Sequence, residues 1–122
     1  MTTTPTPPPF RCDVIPERAR VRVVPAGDLD LETAPALERT VRELLRSGFA
    51  DVVLDLAELD FMDSAGLHLI LALQSAAESC ECRFRVRQGP PAVQRIFELT
   101  GTLELVAFDA HARPSRRVRT RR

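Results

Sequence analysis

The sequence contains no Lys, Trp or Tyr; all seventeen basic side chains are Arg, and seventeen Asp and Glu balance them to a formal net charge of zero. A neutral total excludes a global electrostatic pull toward nucleic acid or anionic lipid, so no direct nucleic-acid partner is expected. Locally the balance breaks. Six Arg (Arg113, Arg116, Arg117, Arg119, Arg121, Arg122) fall in the last ten residues, which leaves eleven Arg against seventeen acids over residues 1–112, a net −6. The body is acidic and the tail basic. Long apolar runs are also missing: Leu67 to Leu73, broken by His68, is far shorter than the roughly 18 residues of a membrane span. The opening Met1-Thr-Thr-Thr-Pro-Thr-Pro-Pro-Pro9 has neither the basic segment nor the apolar stretch of a secretory signal. A cytoplasmic location with no membrane span is therefore expected. Cysteine is scarce, with Cys12, Cys80 and Cys82 making an odd three, and Cys80-x-Cys82 is too tight for the usual zinc or redox spacing. No metal, disulfide or cofactor is expected.

What is present suits one compact domain: 122 residues with 44% apolar content can bury a core but cannot hold a two-domain enzyme. Residues 1–9 read as a disordered Thr/Pro leader and residues 110–122 as a disordered Arg-rich tail, leaving a domain over residues 10–109. Within it, Arg11 to Ile15 and the alternating Ala19 to Val24 predict a hairpin. Leu37, Val41, Leu44 and Leu45 recur at helical spacing behind Thr33 as N-cap and Pro35, with Gly48 as the stop. Val52 to Leu56 predicts a strand covered on both faces. Helices over Ser64 to Ser79 and from Pro90-Pro91 to Thr100-Gly101 bracket a strand at Arg83 to Arg87, and Leu103 to Phe108 predicts a last strand. The order is β-β-α-β-α-β-α-β. Right-handed crossovers then give an α/β fold, a small mixed but mostly parallel sheet with its helices mainly on one face.

One segment carries the chemistry. Leu59-Asp60-Phe61-Met62-Asp63-Ser64-Ala65-Gly66-Leu67 spans a strand-to-helix turn, where unpaired N–H groups and the helix dipole favour an anion. Ser64 at that end reads in two ways. It is either an ordinary N-cap or a switch, in which a phosphate adds about −1.5 to −2 charges beside Asp60 and Asp63.

Gly27-Asp28-Leu29-Asp30, Phe61-Met62-Asp63-Ser64-Ala65-Gly66-Leu67 and Pro91-Ala92-Val93-Gln94-Arg95-Ile96-Phe97 resemble, in order and spacing, the anti-sigma factor antagonists of the STAS domain family. The resemblance covers about residues 10–108. It implies a bacterial partner-switching protein whose unmodified form binds an anti-sigma factor and frees the sigma factor. The anti-sigma factor is itself an ATP-dependent serine kinase, and a phosphatase resets the switch. By this match Ser64 is the phosphosite, and the partner surface falls on Asp28, Asp30, Asp63, Ser64, Ala65, Gly66, Leu67 and His68. Two positions depart from the common pattern. Ala65 replaces a frequent second Ser, which leaves Ser64 as the sole acceptor, and His68 replaces a small Gly beside the partner surface.

Other readings remain open to test. Ser64 and His68, four apart on one helix, have the spacing of a nucleophile and base, yet a capping Ser turns away from the imidazole and no G-x-S-x-G elbow is present. A non-enzymatic role is expected. Related domains also serve stress-signalling scaffolds and lipid-transport complexes, the alternative placement for this chain.

Overall fold

The computed structural model describes residues 9–109. The leader up to Thr6-Pro7-Pro8 and the tail from Ala110 lie outside the described residues. In chain order the elements are β1 (Arg11–Glu17), β2 (Arg20–Leu29), α1 (Ala34–Arg46), β3 (Asp51–Asp55), β4 (Leu59–Met62), α2 (Ser64–Ser79), β5 (Arg83–Arg87) and α3 (Pro91–Thr100), followed by a 3₁₀ turn at Leu103–Leu105.

The sheet runs β1-β2-β3-β5, with β4 also paired to β2. Only the β1–β2 hairpin is antiparallel; β2–β3, β3–β5 and β2–β4 are parallel. Besides β1, the long β2 therefore serves two parallel partners, β3 along Val21–Val23 and β4 along Gly27–Leu29, with a register shift at Gly27/Asp28. Gly27 takes φ +102 there, a backbone angle that a side chain would resist.

Strand periodicity sorts the two faces. Val21, Val23, Val52, Leu54, Phe84 and Val86 point to one side and join Leu37, Val41 and Leu45 of α1, Leu67, Ile70 and Leu73 of α2 and Val93 and Phe97 of α3 in a single core. The opposite face carries Arg22, Val53, Asp55, Arg85 and Arg87. Arg22 and Arg85 lie on either side of Val53 in the ladder, and Val53 is nevertheless 0% exposed. Aliphatic stems of charged residues shield it, as long side chains do over apolar surface. The expectation that β3 is covered on both faces holds for burial but not for its cause: one cover is helical, the other a layer of ion pairs.

In that layer Arg22 bonds Glu17 at 2.8 Å and Asp55 at 3.2 Å, Arg87 lies 3.8 Å from Asp55, and Arg85 lies 3.4 Å from Asp51. Burial alone would raise the Glu17 carboxyl, but hydrogen bonds and charge from Arg22 and then Arg20 outweigh it and hold the group below its ordinary value of 4.5. A carboxyl lowered by folding contributes stability above its unfolded pKa and loses it as pH falls through the folded one. Glu17→Gln should thus cost about 0.5–1 kcal/mol at neutral pH and progressively less on the acid limb, read from denaturant midpoints at several pH values.

Two sequence expectations change. The four-residue β4 stands where only a turn was expected, and the strand expected at Leu103 to Phe108 is a 3₁₀ turn followed by one bridge, Val86 to Phe108. The element order is therefore β-β-α-β-β-α-β-α. The cause of the second change is a side chain: the Gln74 amide donates to the Leu105 carbonyl at 2.6 Å and accepts from the Ala107 N–H at 2.8 Å, so these backbone groups are satisfied without a ladder. Phe108 still packs edge-on against Phe97, with ring centroids 5.1 Å apart.

Candidate functional site

Parallel pairing of β4 with β2 creates the site, because it sets Phe61 opposite Asp28 and Met62 opposite Leu29. Segments more than thirty residues apart in sequence thus leave the sheet side by side, one turning into α1 and the other into α2. Asp63 locks the second turn. Its N–H donates to the Leu29 carbonyl at 3.2 Å, and its Oδ1 accepts from the N–H groups of Ala65 at 2.9 Å and Gly66 at 3.2 Å. Its carbonyl then accepts from the Leu67 N–H at 3.1 Å.

Asp63, not Ser64, is therefore the N-cap of α2, and Ser64 is the first helical residue. The shorter reach of a Ser hydroxyl loses to a carboxylate that satisfies two orphan donors at once. Ser64 is exposed, with its hydroxyl free of capping duty. Ser64→Ala, which would lose about 1 kcal/mol at a cap, should instead leave stability within about 0.3 kcal/mol, since Ala is the better helix former. Thermal unfolding of the two forms checks this.

At α1 the cap position is Thr33, as the sequence predicts, but its backbone is already helical and its hydroxyl does not cap. The Asp30 carboxylate accepts from the N–H groups of Glu32 at 3.0 Å and Thr33 at 3.1 Å, while the Thr33 hydroxyl donates to the Asp28 carbonyl at 2.7 Å. Asp30 thus braces the loop beside Ser64, whereas Asp28 is exposed next to it.

Of the other residues singled out from the sequence, His68 is exposed and Ala65 half-buried, but Gly66 and Leu67 are buried. A Cβ at Gly66 would sit 2.6 Å from Met62 Cγ and 2.9 Å from Leu29 Cγ. These two positions seat α2 against the sheet and do not face solvent. Two apolar side chains not singled out from the sequence do: Leu31 is 78% and Phe61 48% exposed. Phe61 opens onto a groove of about 400 Å³ between β4 and α3, lined also by Met62, Pro91, Ala92, Arg95 and Ile96. The signal for both was their place beside alternating acids, Asp30-Leu31-Glu32 and Asp60-Phe61. Six carboxylates, those of Asp28, Asp30, Glu32, Glu58, Asp60 and Asp63, belong to these two segments, and no Arg lies between Arg22 and Arg39 or between Arg46 and Arg83. The surface is apolar with an acidic surround.

The cysteines lie outside this cluster. Burial pushes the Cys12 and Cys82 thiols up, while Cys80 is exposed. A thiol reagent at neutral pH should modify Cys80 roughly tenfold faster than either of the others, as peptide mass mapping would show. Among the described residues no group of His, Cys, Asp and Glu is placed to hold a metal ion. No described helix is long and apolar enough to cross a membrane.

Comparison with known proteins adds to this geometry. A family model described as Mlab, STAS domain matches residues 14–107. An anti-sigma-B factor antagonist of Staphylococcus epidermidis is 30% identical over 80 residues, covering 66% of this chain and 74% of that protein. That of Staphylococcus aureus is 29% identical over the same length and coverage. The crystal structure of an anti-sigma factor antagonist from Mycobacterium paratuberculosis superposes with a TM-score of 0.75 at 27% identity, over 82% of this chain and 85% of that one.

Proposed function

Since this chain belongs to the STAS domain family, we propose that it is an anti-sigma factor antagonist that acts in the cytoplasm and is switched by phosphorylation of Ser64. Its relatives in Staphylococcus carry that regulatory name. In this reading the unmodified chain captures an anti-sigma factor through the surface around Ser64 and the exposed side of α2, which frees the sigma factor. The anti-sigma factor then acts as kinase: the Ser64 oxygen attacks the γ-phosphorus of ATP, ADP leaves, and the hydroxyl proton passes to a base of the kinase. A phosphatase hydrolyses the ester to restore the binding form.

The observation that carries this reading is an exposed Ser64 hydroxyl at the head of α2, with its capping task taken by Asp63. A hydroxyl bound into a cap would have to break that bond to enter a kinase; this one does not. The same cap explains why modification leaves the fold in place. The helix end favours an anion by roughly 0.3–1 kcal/mol, but Asp63 already occupies it, and nearby carboxylates oppose a second one by a comparable amount. The result is a change of surface without a change of architecture.

The cap also weighs against Ser64 and His68 as a hydrolytic pair. The amides of Ala65 and Gly66, the natural donors to an oxyanion beside Ser64, are both held by Asp63. Ser64 is not the cap, so its hydroxyl is not held away from His68; the occupied amides are what support a non-enzymatic role.

The test is incubation of the full chain with candidate anti-sigma kinases and ATP, with mass spectrometry to locate phosphate and pull-downs of both forms. Phosphate on Ser64 and loss of capture are expected. Co-purification with a membrane ATPase in place of a soluble kinase would overturn the reading in favour of a lipid-transport subunit.

A further inference from the structure

We propose that His68 is the intramolecular partner of the Ser64 phosphate, closing an imidazolium–phosphate pair across the first turn of α2. The inference rests on Ser64 being the phosphorylated residue. Both side chains are exposed, and both lie on α2 four residues apart. At that spacing Cβ atoms are about 6 Å apart on one face of a helix. Helical Cα–Cβ bonds tilt toward the N-terminus, so His68 leans over the turn that begins at Ser64. A phosphoryl group on the Ser64 oxygen extends outward by one P–O bond and brings three acceptor oxygens into the imidazole's reach.

Of the first amides of α2, only that of Ser64 itself is left for those oxygens. An anion at a helix N-terminus normally takes the free N–H groups, but here Ala65 and Gly66 donate to the Asp63 carboxylate and Leu67 to the Asp63 carbonyl. One amide carries only a partial charge, so a full counter-charge within the chain is left to a side chain. His68 is the one basic residue in α2. The neighbouring loops supply acids, Asp28, Asp30 and Glu32 before α1 and Asp60 and Asp63 from β4 and its end, while α1 carries Glu38, Arg39, Arg42, Glu43 and Arg46. α1 meets the core through Leu37, Val41 and Leu45 and keeps Arg42 bonded to its own Glu38 at 2.9 Å. β5 brings Phe84 and Val86 to the core, and the α3 cation, Arg95, lines the groove beside Phe61.

The pair gives the phosphorylated state a defined shape. The dianion is held down along α2, over the face that would otherwise meet the partner, instead of swinging free among the carboxylates.

The experiment uses the full chain with phosphoserine installed genetically at position 64, so that no kinase is needed, and follows the phosphorus resonance against pH. The second ionisation of a free phosphoserine lies near about 6. With His68 present it should fall by roughly half a unit or more relative to His68→Gln, and His68→Lys, which restores a cation, should recover the lowered value. His111→Gln serves as control and should leave the titration unchanged. Identical titrations of the wild-type and His68→Gln forms would overturn the pair, whatever the kinase assay shows. Failure of any kinase to modify Ser64, with the titration difference present, would instead sink the proposed function and leave the pair standing.

Discussion

Stoichiometric phosphorylation of Ser64 should weaken capture of the anti-sigma factor by roughly a hundredfold or more, about 3 kcal/mol. The size follows from desolvation. A partner that closes over Leu31, Phe61 and an uncharged hydroxyl buries little polar surface, whereas the same closure over a dianion must strip its water or leave a gap. The surrounding carboxylates make the penalty worse for any partner whose basic groups already answer to them. Ser64→Asp supplies about half of the charge and none of the tetrahedral shape, so its loss should be nearer tenfold. Ser64→Ala should bind at least as well as the unmodified chain and should no longer respond to ATP. Calorimetric titration of the four forms against one anti-sigma factor decides the matter; equal affinities for bare and phosphorylated chains would end the proposal.

Gly66→Val should lower stability by about 3 kcal/mol, and the melting temperature by roughly 12 °C or more for a domain of this size. The first turn of α2 passes so close to the sheet that an added Cβ would lie 2.6 Å from Met62 Cγ and 2.9 Å from Leu29 Cγ. Neither is the loose end of an exposed chain: Leu29 is 0% and Met62 1% exposed. Gly66→Ala recovers about 1 kcal/mol of helix propensity against an overpacking cost of about 1–3 kcal/mol, so it should be mildly destabilising. Val adds two further carbons in the same contact and forces α2 away from β2 and β4. Because that movement carries Ser64 with it, binding should weaken even though Gly66 is itself buried. A Gly66→Val chain that melts with the wild type would show the contact to be slack.

How much of this was legible in the sequence depends on which competitor each residue faced. α2 was readable at both ends and β5 along its length, since unbroken apolar spacing and strict alternation have no rival reading there. β4 was hidden because Leu-Asp-Phe-Met is buried only at its two ends, a pattern with neither strand nor helix period. The Leu103 to Phe108 run looked like a strand by composition, but a single Gln74 amide on α2 claims its backbone, and such a long-range bond leaves no local trace. The Ser64 cap was misassigned because the Asp63 carboxylate takes the amides first, whereas Thr33 holds the cap position of α1 but spends its hydroxyl on the Asp28 carbonyl. At the site, the positions of Ser64, Asp28 and His68 were visible from motif and spacing. The outward turn of Leu31 and Phe61 was signalled only by their acidic neighbours; the β2–β4 register sets Phe61 beside Asp28, and the Asp30 carboxylate holds the turn that carries Leu31.

The ion-paired side of the sheet has a further consequence for how copies of this chain behave in solution. A sheet with helices on one side only invites a second sheet to lie flat against it. Here lamination would dehydrate Glu17, Arg22, Asp51, Asp55, Arg85 and Arg87 together, and their present contacts of 2.8 to 3.8 Å are already made within one molecule. Stacking would forfeit the hydration of charges that are already paired within the molecule. The guanidinium layer thereby disfavours face-to-face stacking of two such sheets.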